Sequence, residues 1–309
     1  MKAVTYAEYG IPEDVLTITE VPVPKVGAGE VRIAVKAAAV NPVDWKIMAG
    51  YLDGMTNVQW PVIPGWDVAG VIEAVGTDVP DYQVGDEVMA YGRKDWLSQG
   101  SFAEKMTLPV RTLARKPASL SWEQAAALPL AGLTAFQTLR RLGVGEGDTV
   151  LIHGASGGVG SYGVQIARAL GARVIGAASE ARQDRVREFG GEPVVYGDGL
   201  VEQVRALAPE GVTVVADYAG GAVEQTVQVL AEGGRHGSIA DPSVVGHGGE
   251  SMWVHPDHDD LAELGAMVER GQIRVDLAHT LPLERAAEAY RMSFEGRAGG
   301  KIAITVAGA

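Results

Sequence analysis

The run Gly147-Asp-Thr-Val-Leu-Ile-His-Gly-Ala-Ser-Gly-Gly-Val-Gly160, continuing to Gln165-Ile-Ala-Arg168, admits few folds. Val150, Leu151 and Ile152 are apolar and β-prone, as a strand buried on both faces requires. The loop Ala155-Ser156-Gly157-Gly158-Val159-Gly160 follows, then a helical run with Val164, Ile166, Ala167 and Leu170 that stops at Gly171. Strand, glycine turn and helix in that order make a dinucleotide pyrophosphate site. Against the pattern G-x-G-x-x-G, Ala155 replaces the first glycine. Gly157 keeps the place where backbone must approach the pyrophosphate, and Gly160 the place where helix packs closely on strand. The unpaired N–H groups and positive dipole end of the helix would face the phosphates. With 41 glycines in the chain, such a spacing can arise by chance. The strand before it, the helix after it and a second strand at 173–177 separate it from a bare glycine turn.

The cofactor is read at the end of that second strand. An NADH site carries an acid there, about 20 residues past the glycines, to bind the ribose 2′-hydroxyl. Here the tip is Ala177-Ala178-Ser179, followed by Arg182 and Arg185. A hydroxyl and cations suit a 2′-phosphate, so NADPH is expected. Glu180 argues the other way if it turns inward. The bland alternative puts Arg182 and Arg185 on the solvated face of a helix at 181–189.

The texture of the chain changes near residue 119. Before it, short apolar runs alternate with turn signals such as Gly27-Ala-Gly29 and Gly85-Asp86, and Val31-Arg-Ile-Ala-Val-Lys alternates strictly. After it, Ser121-Trp-Glu-Gln opens a helix with a cap. Strands at 149–154, 173–178, 193–196, 212–217 and 235–240 then alternate with helices such as 222–232, as in a parallel doubly wound sheet. Residues 252–254 read as a last strand and 261–270 as a last helix. A tail of 273–275, a helix at 283–293 and a strand at 302–306 has no core of its own and should pack back on the N-terminal β-rich part. The expected division is 1–118 with 271–309, and 119–270.

Composition narrows the function. A net charge of -13 opposes a nucleic-acid partner, whose phosphates need clustered cations. The chain has no cysteine, which removes disulfides, thiolate zinc sites and cysteine nucleophiles. The N-terminus has no apolar signal core, and the longest apolar stretch, 125–136, is interrupted by Pro129, Gly132 and Thr134. No membrane partner and a cytoplasmic location are expected. His255-x-x-His258 with Asp257 and Asp259 could be read as a metal site, but that spacing is more often a solvated helix start.

The order of parts resembles the zinc-free quinone oxidoreductase branch of the medium-chain dehydrogenase/reductase superfamily. Gly147-Asp148, Ala155-Ser156-Gly157-Gly158, Gly160, Gln165 and Arg168 match its signature spacing. Asn41-Pro-Val-Asp44, Pro64-Gly65-x-Asp67-x-x-Gly70, Val84-Gly85-Asp86-x-Val88 and Ala131-Gly132-Leu-Thr134-Ala135 look like its other landmarks. The resemblance implies a GroES-like β-rich catalytic domain, a Rossmann domain and a cleft holding NADPH. By position, Asn41 and Thr134 would flank the nicotinamide. Ser156, Gly157, Gly158 and Val159 would line the pyrophosphate, and Ser179, Arg182 and Tyr196 the 2′-phosphate. Gly220 would lie by a ribose and Ile239-Ala240 by the carboxamide. Lys301 matches the lysine of the usual C-terminal Gly-Lys strand and is taken as a cofactor contact, although Arg297-Ala-Gly-Gly300 departs from the common basic pattern. The positions of the zinc ligands of metal-dependent relatives hold Asn41, Trp66 and Leu130-Ala131. A homodimer is also implied, with Met252-Trp-Val-His255 as its edge strand.

The activity so implied is hydride transfer from NADPH to a quinone or an α,β-unsaturated carbonyl compound. Such acceptors need no Lewis acid, because the negative charge moves onto an oxygen that hydrogen bonds can receive. Asn41, Asp44, Trp45, Lys46, Tyr51, Trp66 and Thr134 are the pocket candidates. Of these, Lys46 and Tyr51 could donate a hydrogen bond or proton. Trp45 and Trp66 read equally well as plain core, and Lys46 as a solvated lysine. Two alternatives stay open: an ene reductase dedicated to a polyketide-type enone, and a non-catalytic NADPH-binding protein.

Overall fold

The computed structural model describes residues 1–306. Two compact units form, one from Met1–Leu130 with the segment from Pro256 onward, the other Ala131–His255. Among the described residues, no helix is long and apolar enough to cross a membrane.

The unit Ala131–His255 is built on a six-stranded sheet in which every pairing is parallel. Its order is Glu192–Val195, Arg173–Ala178, Thr149–His153, Val212–Asp217, Leu230–Ser238, Glu250–Ser251. Chain order therefore reverses beside the central strand Thr149–His153, as in the doubly wound sheet that the alternation of elements predicts. Val150, Leu151 and Ile152 are fully buried, because helices cover both faces of a parallel sheet.

The other unit is organised by the long strand Glu30–Val40. It pairs with Asp67–Val75, Lys105–Pro109 and Lys301–Thr305. Val31, Ile33 and Val35 are fully buried while Arg32, Ala34 and Lys36 between them are not, as the strict alternation requires. From Ala37 to Val40 every residue is buried, where Lys301–Thr305 joins the second edge. The tail thus returns to the β-rich part, as expected.

The boundaries and several elements differ from the sequence reading. The joints fall at Leu130/Ala131 and His255/Pro256, not at 118/119 and 270/271. Two helices account for this. Trp122–Ala127 packs on Glu30–Val40 and Asp67–Val75, and His258–Glu269 packs on Leu113–Arg115. Hydrogen bonds from Ser119 N to Glu269 and from Gln124 Nε2 to Val275 O tie them in. The helix expected at 181–189 is a 3₁₀ turn, Glu180–Arg182, followed by Gln183–Glu188. The last parallel strand is Glu250–Ser251 rather than 252–254, and the tail strand is Leu277–Pro282 rather than 273–275. Asp257 caps the helix His258–Glu269 by accepting from Asp260 N, which is the solvated helix start of the His-x-x-His reading.

Candidate functional site

At the carboxyl end of Thr149–His153 the chain turns through Gly154–Val159 into the helix Gly160–Ala169. Gly160 is required sterically: a Cβ there would lie 2.1 Å from the carbonyl oxygen of Gly154. Gly154 itself has φ +71°, a left-handed conformation natural to glycine. Gly157 N donates to Gly154 O at 2.9 Å and closes the turn. Among the described residues, the N–H groups of Gly158 and Val159 have no protein acceptor. Gly157, Gly158 and Val159 are half-buried and Ser156 is buried. An open cradle of N–H groups at a helix start fits a pyrophosphate.

One strand over, Ala178 pairs with Val195, and Tyr196 N donates to Ala178 O at 3.2 Å. That register sets Ser179 and Tyr196 side by side at the strand ends. Tyr196 is 61% exposed, so its ring is available as a wall. Arg182 N donates to Ser179 O, and its guanidinium has no hydrogen-bond acceptor among the described residues. Glu180 is exposed. Arg185 is half-buried, not on a fully solvated face, and its guanidinium sits 5.3 Å from the Phe189 ring centre.

Asp217, which ends the strand Val212–Asp217, is buried and ties two loops together. Its Oδ1 accepts from Ala219 N and Gly220 N, both at 2.9 Å, and its Oδ2 accepts from Ser238 Oγ at 2.7 Å. Ser238 Oγ in turn accepts from Ala240 N and Asp241 N. Gly220 (φ +85°), Ile239 and Ala240 are thus held by two side chains that the sequence reading did not single out. The available signal was a carboxylate ending a buried apolar strand. Thr134 is buried in the helix Pro129–Arg141.

The β-rich unit carries a different arrangement, a buried network of side chains. Asn41 caps the helix Pro42–Met48, and its backbone N–H donates to Asp44 Oδ2 at 2.9 Å. Its amide is fixed from both sides. Lys301 Nζ donates to Asn41 Oδ1 at 2.7 Å, and Asn41 Nδ2 donates to Asp67 Oδ2 at 2.8 Å. Because an ammonium only donates and a carboxylate only accepts, this amide cannot be turned the other way. Asp67 Oδ1 accepts from Leu130 N at 2.8 Å. Asn41, Asp44, Asp67 and Lys301 are each at most 5% exposed.

Burial dominates the electrostatics of this network. It pushes the Asp44 carboxyl up to about 8, against the Asn41 N–H that holds it down. Asp67 is also raised by burial, opposed first by the Lys301 ammonium. The Tyr290 hydroxyl is buried beside Asp44, and burial together with the Asp44 charge pushes it well above the usual tyrosine range. Asp67 and Tyr290 were not among the expected site residues. Asp67 stood in a quoted motif, whereas nothing in the sequence distinguished Tyr290 from a core tyrosine.

Three further expected residues make contacts within the β-rich unit. The Lys301 ammonium has three protein acceptors: Val40 O, Asn41 Oδ1 and Asp67 Oδ2. Lys46 lies 5.8 Å from the Trp45 ring centre, and Tyr51 is 68% exposed with its ring edge-on to Trp45. Neither makes a hydrogen bond within the network.

Comparison with known proteins shows the family to which the chain belongs. Residues 27–118 match the alcohol dehydrogenase GroES-like domain, and residues 190–304 match the zinc-binding dehydrogenase family. The chain is 34% identical to the NADPH-dependent alkenal/one oxidoreductase of Arabidopsis thaliana, a chloroplastic protein, over 98% of this chain and 79% of the relative. It is 32% identical to the 2-methylene-furan-3-one reductase of Solanum lycopersicum, with the same coverage. Among solved structures, the quinone oxidoreductase from Coxiella burnetii superposes with a TM-score of 0.89 at 29% identity, covering 99% of both chains. A mycobacterial protein solved with NADPH superposes with a TM-score of 0.85 at 27% identity, again over 99% of each.

Proposed function

Because the chain belongs to the quinone oxidoreductase branch of the medium-chain dehydrogenase/reductase superfamily and is an NADPH-dependent reductase of quinones or α,β-unsaturated carbonyl compounds, we propose the following roles for its residues. NADPH, when bound, supplies a hydride. The Gly158 and Val159 N–H groups, with Ser156 and Gly157, receive the pyrophosphate. Ser179, Arg182 and Tyr196 receive the 2′-phosphate. Gly220, Ile239 and Ala240, held by Asp217 and Ser238, serve the ribose and carboxamide, and Thr134 the nicotinamide.

The observation that carries this reading is the empty-handed pair at the sheet's carboxyl end: an open N–H cradle and, one strand over, an arginine without an acceptor. In the β-rich unit Asn41 is assigned to the reacting end. Its amide presents one fixed orientation because Lys301 and Asp67 hold its two ends. Preorganisation of that kind keeps a donor in place while charge develops on the acceptor oxygen. Lys46 and Tyr51 are assigned as hydrogen-bond or proton donors to that oxygen. We also assign a cytoplasmic location and a homodimer that pairs through the edge strand Glu250–Ser251, beside which Trp253 is half exposed.

The test is anaerobic NADPH oxidation against a matched panel of quinones and enones with product identification. Saturated ketone from enones with weak quinone turnover makes the protein an ene reductase. Hydroquinone formation with inert enones makes it a quinone reductase. Tight NADPH binding with no oxidation by any acceptor overturns both.

A further inference from the structure

A narrow cleft in the β-rich unit is lined by Asp44, Trp66, Lys94, Trp96 and Gln99, among others. Lys94 is its only lysine or arginine. The Lys94 ammonium donates to Thr107 Oγ1 at 3.2 Å and to Gln99 Oε1 at 3.5 Å, both neutral acceptors. No carboxylate lies within ion-pair distance of it among the described residues. The more deeply buried ammonium groups differ: Lys116 has Glu87 at 3.2 Å, and Lys301 has Asp67 at 3.4 Å. A half-buried cation without a carboxylate at contact distance is costly: burial lowers the Lys94 ammonium from the usual lysine value, and the more distant Glu30 charge only partly opposes that. An anion in the cleft would offset that cost. Two carboxylates could oppose an anion: Glu30, which acts on Lys94 from outside the lining, and Asp44 in the lining, whose carboxyl burial pushes up to about 8. The cleft is small, with room for about one or two water-sized groups.

We propose that this cleft is a carboxylate-binding site and that Lys94 selects electrophiles that carry an anionic group. The second half of the proposal rests on the reductase reading; the first half does not. Lys94 acts on specificity, through one charge-assisted hydrogen bond to the anionic group and none to the reacting carbons. Trp66 and Trp96 border the cleft and suit the flat remainder of such a molecule.

The test compares 3-benzoylacrylate with its methyl ester, and uses calorimetry with the inert 3-benzoylpropionate. The wild-type protein should favour the acid over the ester. Lys94→Met should lower kcat/KM for the acid by about 10- to 100-fold and leave the ester unchanged, while Lys94→Arg should retain most of the preference. 3-Benzoylpropionate should bind the wild type and fail to bind Lys94→Met. Equal treatment of acid and ester, an equal loss on both in Lys94→Met, or unchanged 3-benzoylpropionate binding in that variant would overturn the site. If neither the ester nor any neutral quinone is reduced, the reductase reading fails, and the calorimetry alone still decides whether the cleft binds a carboxylate.

Discussion

The N–H cradle at the sheet's carboxyl end and the Asn41 network are made of different material. The cradle is backbone. Its donors are peptide N–H groups, and its shape depends on what is missing at Gly160, where a Cβ would strike Gly154 O. The network is side chain. Its members come from a helix start (Asn41, Asp44), a strand (Asp67) and the last strand (Lys301), and its stability depends on charges that balance. A backbone site can be moved between sequences with little loss provided the glycines keep their spacing. A buried charge network fails when one member changes, because the remaining charge has no partner.

Removing the Lys301 charge should give the largest effect. Lys301→Met leaves Asp67, fully buried, with only the Asn41 and Leu130 donors. The expected cost is about 3–5 kcal/mol of stability, measured as a fall in the chemical-denaturation midpoint. The paired variant Asp67→Asn with Lys301→Met should recover most of it, since both charges are then gone. A single variant as stable as the wild type would show that the network is not held by charge balance.

The same contrast explains what could be read from the sequence. The strand, turn and helix of the cradle were legible, because they are contiguous and Gly160 has a steric reason. The doubly wound sheet was legible for the same reason, through alternation of elements. The network was legible only in fragments. Asn41 and Lys301 were singled out by resemblance, yet their joining through Asp67 spans most of the chain and leaves no local pattern. The domain joints moved for a related reason: short helices at 122–127 and 258–269 look alike in sequence whichever sheet they cover.

A smaller effect should come from the cradle's outer end. If Arg182 meets the 2′-phosphate, Arg182→Ala removes a charge-assisted contact and should raise the Kd for NADPH about 10- to 100-fold. The Kd for NADH should not change, because NADH lacks that phosphate. Fluorescence titration of the bound nicotinamide reads both. An equal loss for the two cofactors would move Arg182 from phosphate recognition to the support of its loop.

A pH-dependent effect separates a charged network from a neutral one. Asp44 holds its proton to about pH 8 in the folded protein, against about 3.9 for a free aspartate. Between those values the folded state binds a proton that the unfolded state has lost. The protonated form therefore stabilises the fold fully below about pH 4, and that contribution is lost as pH rises towards 8. Asp44→Asn carries no such proton, and its amide oxygen can still accept the Asn41 N–H. Relative to the wild type, the variant should gain up to about 1.4 kcal/mol per pH unit between pH 5 and 8, read as a widening difference in Tm, and then level off. A difference that stays constant with pH would mean that Asp44 is ionised when folded. Two carboxylates would then share the single Lys301 ammonium, and the cleft that Asp44 lines would repel the anion that Lys94 attracts. The Tm series and the 3-benzoylpropionate titration must therefore agree in sign.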